Sequence, residues 1–258
     1  QFIHPPVFNA VFCDHFYSST YFLTVNKKTM LRYNIFNLIH KSLRAMLYDA
    51  ALTLQQTDFA NPGETAESMQ KVNAVIEAFE QHGFHEDETL MPVIEKFKPA
   101  TIASFEKDHI DDRYMGNQLH HLQNIYEDAQ TAEERIIAGS AISNAFRDYL
   151  IFNLQHMQRE EIELNELLWA NYSDEQILKI NAQIIAGIPP EEMAIAARWF
   201  LQSINSEEAK EFLIGLKLNA PELVFSALFK LTETYLPERF RAKVIEAVLA
   251  HEAVAPLF

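Results

Sequence analysis

Two histidine–glutamate pairs with a spacing of four residues are the part of the sequence most capable of chemistry. They are His82 with Glu86 and His156 with Glu160. Residues four apart on an α-helix lie on the same face, about 6 Å apart along the axis. A neutral imidazole and a carboxylate placed in this way can bind one metal ion, or two if the carboxylate bridges them. Since roughly 1.4 such pairs arise by chance in a chain of this composition, their surroundings must decide.

Two further histidines stand at similar intervals before these pairs. His40 precedes His82 by 42 residues, and His109 precedes His156 by 47. The same order therefore occurs twice: a lone histidine, a long gap, and a histidine followed four residues later by a glutamate. Two antiparallel helix pairs related by a pseudo-twofold axis would bring both halves to the middle of a bundle. This arrangement predicts two imidazoles for each of two metals, with the two glutamates as bridges or caps.

Four long helices are predicted to position these residues. Apolar residues recur at helical spacing over about 31–53, 65–97, 99–128 and 131–169, and the connections are short. Pro92 falls late in the second stretch and is expected to kink or shorten that helix. Because short connections favour antiparallel neighbours, the sequence predicts an antiparallel up-down four-helix bundle.

The bundle is the middle one of three predicted parts, at 30–170. Residues 1–29 are rich in aromatic side chains without a helical period, and are interpreted as an N-terminal extension of unclear role. Residues 171–258 have proline or asparagine at intervals of about a dozen residues, which predicts a smaller region of short helices. There Asn205, three residues before Glu208, is the expected cap of one helix. The predicted fold class is all-α.

Composition limits the partners and the metal ligands. A net charge of −15 argues against a nucleic acid or an anionic membrane surface as partner. The single cysteine, Cys13, excludes an internal disulfide and a Cys-based metal site, so nitrogen and oxygen must hold any metal. No run approaches the apolar length of a membrane span, and the N-terminus lacks the basic region of a secretory signal. Cytoplasm is the expected location.

In combination, these motifs resemble the hemerythrin-like, His-His-Glu cation-binding family over about residues 31–169. The second helix of that family typically has the pattern His-x-x-x-Glu-acidic-acidic-x-Leu-aromatic-Pro, which corresponds here to 82–92 with Met91 in the aromatic position. The pattern of the fourth helix, His-x-x-x-Glu-Glu, corresponds to 156–161. The lone histidines match within the segments 37–40 and 106–109.

The resemblance implies a non-haem di-iron centre in an up-down four-helix bundle. The implied metal ligands are His40, His82, Glu86, His109, His156 and Glu160, with the two glutamates as bridges. Because Arg113 stands four residues after His109, the additional histidine of the oxygen-carrying hemerythrins is missing. The resemblance therefore favours the variety with two histidines per iron, similar to di-iron proteins of iron–sulfur repair. Imidazole and carboxylate ligands suit manganese and zinc as well.

Three functions follow from these observations. The first is a di-iron protein that binds or senses O2, NO or peroxide, or handles iron, since six protein ligands for two metals leave open positions for a small ligand. The second is an oxidoreductase or iron–sulfur repair factor that uses the same centre. The third is a structural or regulatory helical protein with an empty or zinc-filled bundle, whose C-terminal region binds a protein partner that the sequence does not identify.

Residues beside the candidate ligands have two interpretations. Asp87 and Glu161 are expected on a solvated face, although either could hydrogen-bond a ligating histidine. Other candidates for this supporting role, one or two turns before a histidine, are Tyr33, Asn37, Tyr149 and Asn153. For His85, exposure to solvent or support of a ligating residue is the interpretation, and for the pair His120 and His121 it is a surface or packing role.

Overall fold

The computed structural model describes residues 32–219 and 222–251. The predicted extension at 1–29, with Cys13, lies outside the described residues. Within them every regular element is helical and no strand occurs, which confirms the all-α class. A division of the chain falls after Tyr33, and one compact unit begins at Asn34. None of the helices in the described part of the chain has both the length and the apolar character needed to cross a membrane.

The four predicted stretches each form a long helix, and two of these continue through a π-helical turn. The first two are α1 (Asn37–Gln56) and α2 (Pro62–His85), which continues through a π turn (Glu86–Leu90) into α3 (Met91–Ile94) and a 3-10 turn (Glu95–Phe97). The next two are α4 (Pro99–Asp128) and α5 (Ala132–Arg159), which continues through a second π turn (Glu160–Leu164) into α6 (Asn165–Asn171).

Side-chain caps determine where α2 and α5 begin. Asn61 accepts a hydrogen bond from the backbone N–H of Gly63, and Pro62 occupies the first helical position, where its missing N–H costs nothing. Thr131 and Glu134 form a capping box, in which each side chain accepts from the backbone N–H of the other residue. The first residue of each of these two helices is therefore determined by residues next to it in the sequence.

A π turn lies directly before Met91 and Pro92. Proline has no N–H to donate to the carbonyl four residues earlier, and its ring crowds that carbonyl. The regular helix ends at His85, and the chain widens into the π turn, where the N–H of Met91 donates to the carbonyl of Glu86, five residues back. The straight helix ends before residue 97, as predicted, but the second π turn (Glu160–Leu164) has no proline near it, so Pro92 does not by itself explain the interruption.

The long helices pack around a shared apolar core. α1 contacts α2 and α5, α2 contacts α4, and α4 contacts α5. The largest fully buried side chains of this core include Leu43, Leu47, Ile76, Phe146 and Tyr149. Their burial holds the four helices in register, and so fixes the positions of the polar residues that the same helices carry.

The C-terminal helices are α7 (Asp174–Gly187), α8 (Pro190–Ser203), α9 (Ser206–Asn219), α10 (Glu222–Lys230), α11 (Thr232–Tyr235) and α12 (Glu238–Ala250). α7 packs against the first π turn, and the other five form a second apolar cluster that interlocks with the first. α8 packs on α1, so that Trp199 adds to the bundle core and Leu38 to the C-terminal core. The predicted cap of α9 is confirmed, since the N–H of Glu208 donates to Asn205 Oδ1 at 3.0 Å. The predicted boundary between parts at residue 170 stays a prediction.

Two glycines allow a test of this packing. A Cβ at Gly139 of α5 would lie 2.1 Å from Cγ of Phe59, whereas a Cβ at Gly187 would have nothing within 4 Å. We expect Gly139→Ala to lower the free energy of unfolding by about 1–3 kcal/mol, because the Phe59 ring must leave its contact with Tyr126. Thermal unfolding measures this, with Gly187→Ala as the neutral control. Equal melting temperatures for both variants would contradict the position of Phe59.

Candidate metal centre

The structure brings all six predicted ligand residues together inside the bundle. Each long helix contributes one histidine, and the two π turns contribute the glutamates. Their exposed fractions lie between 0% and 9%. They form two groups of four whose candidate ligand atoms lie within 4.8 Å of one another: His40, His82, Glu86 and Glu160 in one group, and Glu86, His109, His156 and Glu160 in the other. Both glutamates therefore belong to both groups.

Glu86 directs its two oxygens to histidines of different groups. Its Oε1 lies 3.3 Å from Nε2 of His82. Its Oε2 lies 3.3 Å from Nε2 of His109, on another helix. A carboxylate that divides its oxygens in this way has the geometry of a bridge between two cations.

Glu160 divides its oxygens between the remaining histidines. Its Oε2 lies 3.4 Å from Nε2 of His40, and its Oε1 lies 2.9 Å from Nε2 of His156. The bridging geometry is thus repeated from the opposite side of the bundle. Each pair of imidazoles faces one oxygen of each glutamate.

The polar atoms at the centre fit a pair of metal ions. None of the four carboxylate oxygens of Glu86 and Glu160 has a hydrogen-bond partner among the described residues, although all are buried. Buried anionic groups without donors are strongly unfavourable, and cations would compensate for them. In addition, Nε2 of His40 and Nε2 of His82 lie 3.2 Å apart. Two nitrogens that share a metal at about 2.1 Å have a similar separation.

Both glutamates are the first residues of the π turns. Such turns are rare within α-helices and frequent at functional sites, since they change the direction of the side chains that follow. Here Glu86 faces the interior, while the next residue, Asp87, accepts a hydrogen bond from Nδ1 of His109 at 2.7 Å. Glu160 and Glu161 repeat this division of roles. In each acidic pair, the first residue therefore approaches Nε2 of a histidine from the interior, and the second contacts Nδ1 of the same histidine from the outside.

Three of the four histidines have a carboxylate beside Nδ1. The pairs are His109 with Asp87 at 2.7 Å, His40 with Glu161 at 3.0 Å and His156 with Asp108 at 3.5 Å. Because an ionised carboxylate only accepts, it favours the tautomer with hydrogen on Nδ1 and leaves Nε2 free for a metal. Asp87 and Glu161 were expected on a solvated face, and the structure instead bears out the alternative, a hydrogen bond from each to a histidine. Sequence reasoning missed Asp108, because its histidine is on another helix.

Two other predicted supporting residues, Asn37 and Asn153, have different partners. Asn37 donates to Glu208 at 2.8 Å. Asn153 donates to Asp112 at 2.7 Å and to the carbonyl of Tyr149 at 3.2 Å. The histidines that were assigned to the surface behave in two ways: His120 and His121 are exposed, while His85 is half-buried and lies 4.0 Å from Glu192.

Close packing holds the imidazole rings in place. A Cβ at Gly83 would lie 3.3 Å from Cγ and Cδ2 of His109, so only glycine leaves full room for that ring. Phe36 stacks on His40, with ring centroids 5.0 Å apart. Sequence reasoning missed Gly83, although its position directly after His82 was a signal that backbone and imidazole approach closely there.

Burial and neighbouring charge shift the pKa values of the two glutamates in opposite directions. Burial raises the pKa of Glu86 to about 7, and the charge of Glu160 adds to the rise. Burial also acts to raise the pKa of Glu160, but His156 and the other imidazoles outweigh it and hold that pKa well below its usual range. Protons and imidazolium ions therefore supply positive charge to the centre when no metal does.

The same surroundings lower the pKa of one histidine and raise the pKa values of others. Burial lowers the pKa of His82, and the charge of His40 lowers it further, so that this imidazole is neutral. Burial acts in the same direction on His40 and His109, but neighbouring carboxylates outweigh it and raise their pKa values to about 9 and about 12. A protonated His40 can donate to neutral His82 across the 3.2 Å between their Nε2 atoms. A metal that binds here must displace these protons.

A small cavity borders the centre between α2, α4 and α5. Three candidate ligands line it, His82, His109 and His156, together with the hydrogen-bonded pair Asp112 and Asn153. Its volume of about 10 Å³ corresponds to the space that one water molecule needs. The cavity therefore offers room for a molecule of very few atoms beside the centre, and most of the surface that faces it is apolar.

Comparison with known proteins agrees with this geometry. The family model of the hemerythrin HHE cation binding domain matches residues 32–168, which is more than half of the chain and includes all six candidate ligands. No curated protein and no solved structure gave a significant match. The family implies a cation-binding site with histidine and glutamate ligands. The chain therefore belongs to the hemerythrin HHE cation binding domain family.

Proposed function

We propose that this protein holds two iron ions and uses them to bind or sense a small ligand such as O2, NO or peroxide, or to handle iron. The observation that carries the proposal is that two pairs of histidines share both glutamates. The proposed ligands are His40 and His82 for one ion, His109 and His156 for the other, and Glu86 and Glu160 as bridges. Six protein ligands leave positions open on both ions.

The places of these residues along their helices support an antiparallel up-down bundle. His40 lies in the first turn of α1, whereas His82 lies in the last turn of α2. His109 lies in the first half of α4, whereas His156 lies in the last turn of α5. Residues near opposite ends of successive helices meet at one level only if the helices alternate in direction.

The surroundings of the centre support a ligand of very few atoms. When bound, iron would supply redox chemistry and open coordination positions. The cavity beside His109 and His156 has about the volume of one water molecule, which suits a ligand of that size. Asn153 at its wall has a buried Oδ1 without a hydrogen-bond partner among the described residues, and this oxygen can accept from a polar ligand. The aromatic and aliphatic side chains around the imidazoles keep bulk water away from the centre.

Metal content is the direct test. Protein purified without chelator is expected to contain about two irons per chain and to gain a visible absorbance when the reduced protein is exposed to air. Zinc alone, or no metal after growth in iron-rich medium, would contradict the proposal. Those results would favour a structural bundle and direct attention to the C-terminal helices.

Replacement of single ligands tests the site assignment. We expect His82→Ala to lower the metal content to about one ion per chain or less, and Glu86→Ala to lower it further, because a bridge contributes to both ions. His85→Ala is the matched control, since this neighbouring imidazole is outside both groups. Metal analysis after gel filtration measures the result. Full metal content in both ligand variants would rule out the assignment.

Gly83→Ala tests whether room for the His109 ring is needed. The added methyl group would press on an imidazole that Asp87 and Glu86 hold from two sides. We expect a loss in metal affinity of roughly tenfold or more, as for other disturbances of ligand orientation. The melting temperature of the metal-free protein is not expected to fall, since alanine favours the helix over glycine by about 1 kcal/mol. An unchanged metal affinity in this variant would mean that the His109 ring can move aside without losing the metal.

The raised pKa values predict proton release on metal binding. At pH 7 both His40 and His109 carry a proton, because this pH is below their pKa values of about 9 and about 12. A metal binds only the neutral imidazole, so the apparent affinity is expected to rise from about pH 6 to about pH 9. Calorimetric titration in buffers of different ionisation enthalpy measures the protons released. An affinity that is independent of pH in this range would contradict the role of His40.

A further inference from the structure

Each carboxylate beside a histidine Nδ1 is itself paired with an arginine. The three pairs are Glu161 with Arg44, Asp87 with Arg113 and Asp108 with Arg159. In every case the arginine lies one turn after the histidine that its carboxylate contacts, on the same helix. The guanidinium group orients the carboxylate, so that one of its oxygens stays directed at the imidazole Nδ1.

His82 is the exception among the four histidines. Within residues 32–219 and 222–251, no carboxylate contacts its Nδ1, and its contacts to His40 and Glu86 are made through Nε2. It is also the most exposed of the four, at 9% against 0–4% for the others. The cavity beside the centre reaches His82, His109 and His156 but not His40, so it does not distinguish the two metal positions.

These differences make the two halves of the centre unequal. A carboxylate at Nδ1 fixes the orientation of the imidazole and raises the basicity of Nε2, and its loss typically lowers metal affinity about 10–100-fold. At Nδ1, His109 has a hydrogen bond to Asp87 at 2.7 Å, and His156 has Asp108 at 3.5 Å, which is an electrostatic contact without a hydrogen bond. Of the two histidines at the other metal position, His40 and His82, only His40 has a carboxylate at Nδ1.

We propose that the two metal positions differ in affinity, and that the ion held by His40 and His82 exchanges first, while the ion held by His109 and His156 is retained. This inference rests on the proposed two-metal centre. The carboxylate–arginine pairs are positioning groups, which act on the metals through the imidazoles and do not contact them.

Release kinetics test the proposal. The full chain is loaded anaerobically with two equivalents of Fe²⁺ and mixed with an excess of a chromogenic iron chelator. We expect two phases of equal amplitude whose rates differ about tenfold or more. Glu161→Gln is expected to accelerate only the fast phase, because Glu161 contacts His40. Asp87→Asn is expected to accelerate only the slow phase, because Asp87 contacts His109.

Glu88→Gln is the matched control, since Glu88 is an exposed carboxylate on the same π turn as Asp87 and should change neither phase. If Asp87→Asn fails to fold, Arg113→Gln replaces it, because Arg113 contacts the carboxylate of Asp87. Release of both ions in one phase, or acceleration of the fast phase by Asp87→Asn, would overturn the inference. A wild-type chain that loads no more than one ion would overturn the two-metal centre as well, and this is seen before chelator is added.

Discussion

Two carboxylates and four imidazoles are buried at the centre of this bundle, and the need to neutralise them organises the structure around them. A carboxylate without donors in a protein interior is too unfavourable to persist unless a cation or an imidazolium ion compensates for it. Glu86 and Glu160 have no hydrogen-bond donors among the described residues, and each approaches two histidines. The centre is thus built to hold positive charge, and metal ions and protons compete for it.

Around this centre the charges alternate in layers. The glutamates face the interior, the imidazoles surround them, carboxylates contact three of the imidazoles from outside, and arginines hold those carboxylates at the surface. Each layer stabilises the next because opposite charges in a partly buried environment interact more strongly than in water. The π turns make the inner and outer layers possible, since Glu86 and Asp87, consecutive in sequence, serve different layers.

The C-terminal helices contribute to the same arrangement through α1. Leu38, two residues before His40, packs into the C-terminal core, and Trp199 of α8 packs into the bundle core. At the start of α9, Glu208 contacts both Asn37 and Lys41, which flank His40 on α1. The helix that carries the His40 ligand is therefore held from both sides, and the C-terminal region is part of the support of the centre.

What the sequence determined by itself was local. Helix period, caps such as Thr131 with Glu134, and the four-residue spacing of His82 and Glu86 depend on neighbours within one or two turns, and they sufficed to predict the helices and six candidate ligands. Only the tertiary structure decided which oxygen of each glutamate faces which histidine, that Asp108 approaches His156, and that Gly83 leaves room for His109. These contacts join different helices, so they depend on how each helix is rotated and packed, and no spacing within one helix specifies that rotation.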